Sequence, residues 1–157
     1  MIFVTLGTQS FPFNRLLRAL DDIPEDLVVQ GGAAPGFRPA RAAWFDYLEL
    51  PELVQHVRAA RVIVSHAGVG SVITVVSQGK RPVVVPRLPR YGEAVDDHQV
   101  PFARRAAEAG LVTLVEDPTT LPGVLASTPP PPATIHDNGA IVAELRAYLR
   151  DLVGYSR

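Results

Sequence analysis

Apolar runs of strand length alternate along this chain with segments whose apolar residues recur at helical spacing. "MIFVTL" is a short run of strand-favouring residues closed by Gly7, which predicts a buried first strand. "SFPFNRLLRALDDI" follows, with Ser10 placed to cap a helix, Pro12 in its first turn, and Phe13, Leu16, Leu17 and Leu20 on one stripe. The alternation recurs in "DLVVQGG", in "AWFDYLEL" leading into "PELVQHVRAA", in "RVIVS" leading into "GSVITVVSQG", in "RPVVVP" leading into "DHQVPFARRAAEAG", and in "LVTLVE" leading into "PTTLPGVLAS". Apolar runs of this kind belong to strands covered on both faces. The pattern therefore predicts an α/β fold, a Rossmann-like doubly wound parallel sheet of about six strands with as many helices.

Toward the carboxyl end the pattern changes. "TPPPPAT", over 128–134, cannot continue a helix and predicts an extended crossing segment. Beyond it, "NGAIVAELRAYLRDLV" places Ile141, Leu145, Leu149 and Leu152 on one stripe, which predicts an amphipathic helix over about 138–153. No longer repeat is visible, and residues 1–157 read as one domain.

Composition narrows the class. The chain has 157 residues, 47% hydrophobic and 20% charged, with a net charge of −1. This balance fits a soluble globular domain and argues against nucleic acid as a partner. Without cysteine neither a disulfide framework nor a thiolate metal site can form. The amino terminus has no basic segment before its short apolar run, and no stretch approaches the roughly 18 apolar residues of a membrane span. The expected location is cytoplasmic, with no direct transmembrane insertion.

Ligands of open parallel sheets bind beyond the carboxyl ends of the strands, where strand order reverses. The turns after "IFVTL" and "RVIVS" are candidates for that place. Each contains glycine and opens a helix, so unpaired backbone N–H groups and the positive end of a helix dipole face outward together. Gly68 and Gly70 allow close backbone approach, Thr8 and Ser71 offer hydroxyls, and the His66 ring can donate to an anion. Such a pair of turns suits a nucleotide diphosphate; it is equally compatible with glycines that only make a tight turn and a serine that only caps a helix.

Sharper motifs do not fit. "GVGSVI" lacks the third glycine of a dinucleotide fingerprint, and Ser71 does not sit in G-x-S-x-G. His66, Asp96, Asp97 and His98 lack the close-spaced ligand pair that would support a metal site. In "PRLPRYGEAVDDHQVPFA", Asp96 or Asp97 is expected to cap the next helix, with His98 and Gln99 in its first turn facing the ligand and Gln99 and Glu93 able to read sugar hydroxyls.

Taken together, "VTLGTQSFPF", "VSHAGVGSVITVVSQGKRPVVVPR" and "YGEAVDDHQ" resemble the C-terminal, donor-binding domain of glycosyltransferase family 28. Within it the chain is similar to the stand-alone subunits of two-part enzymes, namely bacterial exopolysaccharide glycosyltransferases and the dolichol-linked N-acetylglucosaminyltransferase. The resemblance implies the C-terminal half of a GT-B fold and a UDP-sugar as substrate. It places Gly7, Thr8 and Gln9 beside the diphosphate, cups it with His66, Gly68, Val69, Gly70 and Ser71, and assigns the "DDHQ" segment, with Asp97, His98 and Gln99, to the hexose and phosphates. The uracil is expected near Leu50. Thr74 stands where many members carry a ribose-binding glutamate, a departure shared with the exopolysaccharide subgroup.

The family inverts the anomeric centre by direct displacement of UDP, and no metal or other cofactor is expected. In two-domain relatives the base and acceptor pocket belong to the N-terminal domain, so the resemblance implies a membrane-associated partner subunit that supplies them, brings a lipid-linked acceptor and recruits the chain to the cytoplasmic face. The alternatives are a non-catalytic nucleotide-sugar module and, disfavoured by chain length, a relative of the GT-B epimerases. The final helix is expected either to dock on the partner or to pack on the sheet.

Overall fold

The computed structural model describes residues 1–128 together with Ala143, Ala147 and Arg150. Strands β1 (Ile2–Thr5), β2 (Leu27–Gln30), β3 (Ala42–Phe45), β4 (Val62–His66), β5 (Val83–Val85) and β6 (Thr113–Leu114) form one sheet in the order β3-β2-β1-β4-β5-β6. Every pairing is parallel. The chain winds outward from β1 to β3, returns to the centre, and winds the other way from β4. The reversal lies between β1 and β4, where Thr5 pairs with Ser65. This is the doubly wound α/β architecture that the alternation predicts.

Helices α1 (Asn14–Asp21) and α5 (Leu121–Ser127) cover one face of the sheet, and α2 (Leu50–Ala59), α3 (Val69–Ser77) and α4 (Gln99–Glu108) cover the other. Successive strand residues point to opposite faces. Ile2 and Val4 thus pack with Leu16, Leu20, Leu121 and Leu125, whereas Phe3 packs with Val57 and Val75, and Val84 with Val72, Val76 and Phe102. Because both faces of the inner sheet are buried, β1, β2, β4 and β5 are apolar up to their carboxyl-end residues, and each buried Val, Leu, Ile or Phe contributes about 1.5–3 kcal/mol.

Local details depart from the sequence reading. Ser10 does not cap α1; the helix opens at Asn14 with Phe13 at the N-cap and no side-chain cap, so Pro12 precedes the first turn. Asn14 is used elsewhere: its Oδ1 accepts the Phe37 N–H at 2.8 Å, tying the β2–β3 crossing to α1. The last predicted strand shortens to Thr113–Leu114, which pairs with β5 alone at the sheet edge. Apart from Thr128 and the helical residues Ala143, Ala147 and Arg150, the predicted crossing segment and C-terminal helix lie outside the described residues. Among the described residues no helix is long and apolar enough to cross a membrane.

Candidate functional site at the carboxyl edge of the sheet

Among the described residues the buried polar or charged side chains are Thr5, Gln30, Ser65, His66, Arg87 and Glu93. All sit at the carboxyl ends of β1, β2 and β4 or in the segment leaving β5. Burying such groups is unfavourable unless they find partners. Their confinement to one edge of an otherwise apolar sheet marks a built site.

The turn after β1 is held from two sides. Gly7 adopts φ +73°, a conformation that side chains disfavour. Gln30, at the end of β2, accepts the Thr5 hydroxyl at 2.8 Å and donates through Nε2 to the Gly7 carbonyl at 3.0 Å. Thr8 and Gln9 follow, exposed to solvent.

The His66 ring joins this turn to the one after β4. Its Nδ1 lies 3.4 Å from the Thr5 carbonyl. A Cβ on Gly7 would sit 2.7 Å from the ring's Cε1, and one on Gly68 would overlap Nε2. Both glycines therefore make room for the imidazole. Burial, followed by the nearby Arg87 charge, pushes the His66 pKa down to about 4 against the opposing hydrogen bond to the Thr5 carbonyl, so the ring is neutral at physiological pH. A carbonyl facing Nδ1 requires the proton there, which leaves Nε2 an acceptor. The expected donation from His66 to an anion is not what this geometry provides; the ring is a spacer between turns.

Gly70 differs from Gly68. It is exposed, and a Cβ placed on it would meet nothing within 4 Å. Helix α3 opens at Val69 with Gly68 at the N-cap and no side-chain cap, so the N–H groups of its first turn have no side-chain acceptor. Val69 and Ser71 are half-buried beside them. Thr74, one turn on, donates its hydroxyl to the Gly70 carbonyl at 2.8 Å and so meets an incoming group only as an acceptor.

The segment after β5 is organised differently from the expectation. Glu93 is 2% exposed and is held in a fork by Arg15, Nε to Oε1 and Nη2 to Oε2 both at 3.0 Å, while Oε2 also accepts the Leu88 N–H at 3.0 Å. It is turned inward and does not face a sugar. Gln99 points to the strand ends: its Oε1 accepts the N–H groups of Ala67 at 3.1 Å and Arg87 at 3.0 Å, leaving its amide NH2 for a ligand. Neither aspartate caps α4, whose N-cap is His98; Asp96 instead accepts the His98 N–H at 3.1 Å and faces its Nδ1 at 3.2 Å. Asp97 and His98 are exposed, and Leu50 stands 61% exposed at the start of α2.

Sequence reasoning missed Gln30, Arg15 and Arg87. The available signal was polarity at the end of an apolar run, as in "DLVVQ" and "RPVVVPR", the position at which an open parallel sheet places its ligand. Burial lowers the Arg87 pKa to about 10 against the attraction of Glu93, which leaves the guanidinium charged. A cavity of about 680 Å³ on the flank of α1 borders Arg15, Tyr91 and Glu93 but neither glycine turn; of the turns, Thr8, Gln9, Ser10 and Gly70 are exposed.

The chain belongs to the glycosyltransferase family 28 C-terminal domain family, whose model matches residues 1–140. It is thus a donor-binding domain of a glycosyltransferase. Among similar solved structures, the calicheamicin glycosyltransferase CalG4 is 19% identical with a TM-score of 0.58, the match covering 97% of this chain and 38% of that one. A kitacinnamycin glycotransferase is 19% identical with a TM-score of 0.59, over 99% of this chain and 43% of that one. MurG of Acinetobacter baumannii is 22% identical with a TM-score of 0.54, over 94% and 44% respectively. These likenesses show the fold, that of the C-terminal half of GT-B glycosyltransferases. The chain spans about two fifths of the length of these proteins. Comparison with curated proteins gives no match.

Proposed function

We propose that this chain is the donor-binding subunit of an inverting hexosyltransferase that moves a sugar from a UDP-sugar to a lipid-linked acceptor in polysaccharide biosynthesis. The observation that carries the reading is the uncapped start of α3 under the unobstructed Gly70, at the strand reversal beside the exposed Thr8 and Gln9. Backbone N–H groups and a helix dipole favour an anion there by roughly 0.3–1 kcal/mol per charge, and about 2 when partly buried.

In the reaction the acceptor hydroxyl oxygen bonds to the anomeric carbon as the bond from that carbon to the diphosphate oxygen breaks. The electron pair leaves on UDP, and the hydroxyl proton passes to a base. The chain's own work is to meet the charge growing on the departing diphosphate with preorganised donors, and this needs no metal. Gly7, Thr8 and Gln9 flank the diphosphate, Ser71 and the Gln99 amide donate to it, Asp97 and His98 face the hexose, and the segment at Leu50 receives the uracil. His66 and Glu93 are both committed inside the fold, which supports a base and acceptor pocket on a membrane-associated partner that recruits this chain to the cytoplasmic face of the membrane.

The test is titration calorimetry with UDP, with ADP as control, followed by transfer of labelled hexose into the lipid fraction on co-expression with the product of a neighbouring gene. UDP binding and partner-dependent transfer are expected, and EDTA should leave the UDP affinity unchanged. No UDP binding with or without the partner sinks the reading. Binding without transfer in the complete mixture favours a nucleotide-sugar module that does no chemistry.

A further inference from the structure

The Arg87 side chain is 1% exposed and runs from the end of β5 beneath the loop that follows β1. Its Nη2 donates to the Leu6 carbonyl at 2.9 Å, and Nη1 donates to the carbonyls of Phe11 at 2.9 Å and Glu93 at 3.1 Å. The guanidinium also lies over the Phe13 ring, 4.7 Å from its centroid. Leu6 and Phe11 bracket the exposed turn of Gly7, Thr8, Gln9 and Ser10, so one side chain closes that turn from the inside.

Arg87 forms no ion pair of its own among the described residues. Glu93 is the carboxylate of this cluster, and its oxygens are taken by Arg15 and the Leu88 N–H; Arg87 meets only its carbonyl. Arg87 thus has no carboxylate at ion-pair distance among the described residues, and the neighbouring His66 is neutral. Arg87 Nε is moreover a buried donor with no hydrogen-bond partner among the described residues. Burying a charge without an ion-pair partner is costly, and a tie between two loops does not need one.

We propose that Arg87 is a positioning residue for the donor diphosphate: it sets the conformation of the Gly7–Ser10 turn and places behind it the positive charge that the anionic ligand balances. This inference rests on the UDP-sugar reading of the site. Arg87 acts through the turn, so its effect belongs to the phosphates and not to the nucleoside.

The test compares UDP with uridine on the full chain and on R87K and R87Q, with folding checked by near-ultraviolet circular dichroism. R87Q should bind UDP about tenfold more weakly, the scale of a lost charge-assisted contact, with uridine affinity unchanged, and R87K should recover part of the loss. Equal changes for UDP and uridine, or none for either, overturn the proposal. Should the variants not fold, the unaltered chain decides: the Arg87 Nε–H resonance, assigned through bonds in labelled protein, should move on saturation with UDP and stay in place with uridine. A resonance indifferent to UDP overturns the proposal. Failure of the unaltered chain to bind UDP is a different outcome, which overturns the donor-site reading and this inference with it.

Discussion

Gly68 and Gly70 stand two residues apart and are glycine for different reasons. Gly68 yields its side-chain space to the His66 ring, whereas Gly70 faces open space. Gly68→Ala should therefore cost about 1–3 kcal/mol, the scale of a strained core insertion, read as a lowered urea midpoint. Gly70→Ala should leave stability within about 1 kcal/mol, since alanine is the better helix former, and should weaken UDP binding in calorimetry. A midpoint that falls equally in both variants would remove the distinction.

His66 makes a further prediction at this scale. Its folded pKa, about 4, lies below its ordinary value of 6.5 through burial and the Arg87 charge. Between those values the unfolded chain binds more protons than the folded one. The contribution is therefore fully present above pH 6.5 and is lost as pH falls toward 4, amounting to on the order of 3 kcal/mol. Urea midpoints at pH 7 and pH 5 should separate more for the unaltered chain than for His66→Gln, and equal separations would refute the assignment.

At the scale of elements, the ends of β4 and β5 are joined through Gln99 of α4, and α1 is joined to the β5–α4 segment through Arg15 and Glu93. Gln99→Met leaves two backbone N–H groups without their acceptor and should destabilise by roughly 1–3 kcal/mol. Gln99→Glu keeps the acceptor, so its stability should be retained while UDP affinity drops, because a carboxylate then borders the diphosphate. Both variants are read by urea unfolding and calorimetry, and unchanged UDP affinity in Gln99→Glu would remove Gln99 from the donor site. Glu93→Gln breaks a buried ion pair and should cost about 3–5 kcal/mol by the same unfolding measurement.

The elements themselves were largely legible in the residues. The run "RVIVS" became β4 and "GSVITVVS" supplied α3 because apolar periodicity is a local property that burial then satisfies. The caps were less legible. Ser10 and Asp97 are good capping residues by type, but α1 starts later because residues 6–11 are tied to Arg87, and α4 starts at Gln99 because its side chain is drawn to the strand ends. Tertiary hydrogen bonds outweighed local preference in both places.

For the whole molecule, the chain carries a net charge of −1, yet at the sheet's carboxyl edge it buries the Arg87 guanidinium while Glu93 pairs with Arg15. An anionic ligand bound only by the folded state should raise the melting point, by the equivalent of about 2.7 kcal/mol at a hundredfold excess of UDP over its Kd. The same shift is expected in EDTA, and it should be absent with ADP if the uracil is read. A thermal scan with each nucleotide decides this.

By itself the sequence determined the parallel α/β class, the place of the two glycine turns on strand ends, and the family. These follow from period, turn chemistry and ordered motifs, all properties of neighbouring residues. Only the tertiary structure decided that His66 is a neutral spacer, that Glu93 faces inward, and that Arg87 is the buried charge behind the first turn. Those outcomes depend on partners far away in the chain, 61 residues for Thr5 and His66, 78 for Arg15 and Glu93 and 81 for Leu6 and Arg87. Charge state and hydrogen-bond commitment are set by what surrounds a side chain after folding, which adjacent residues do not specify.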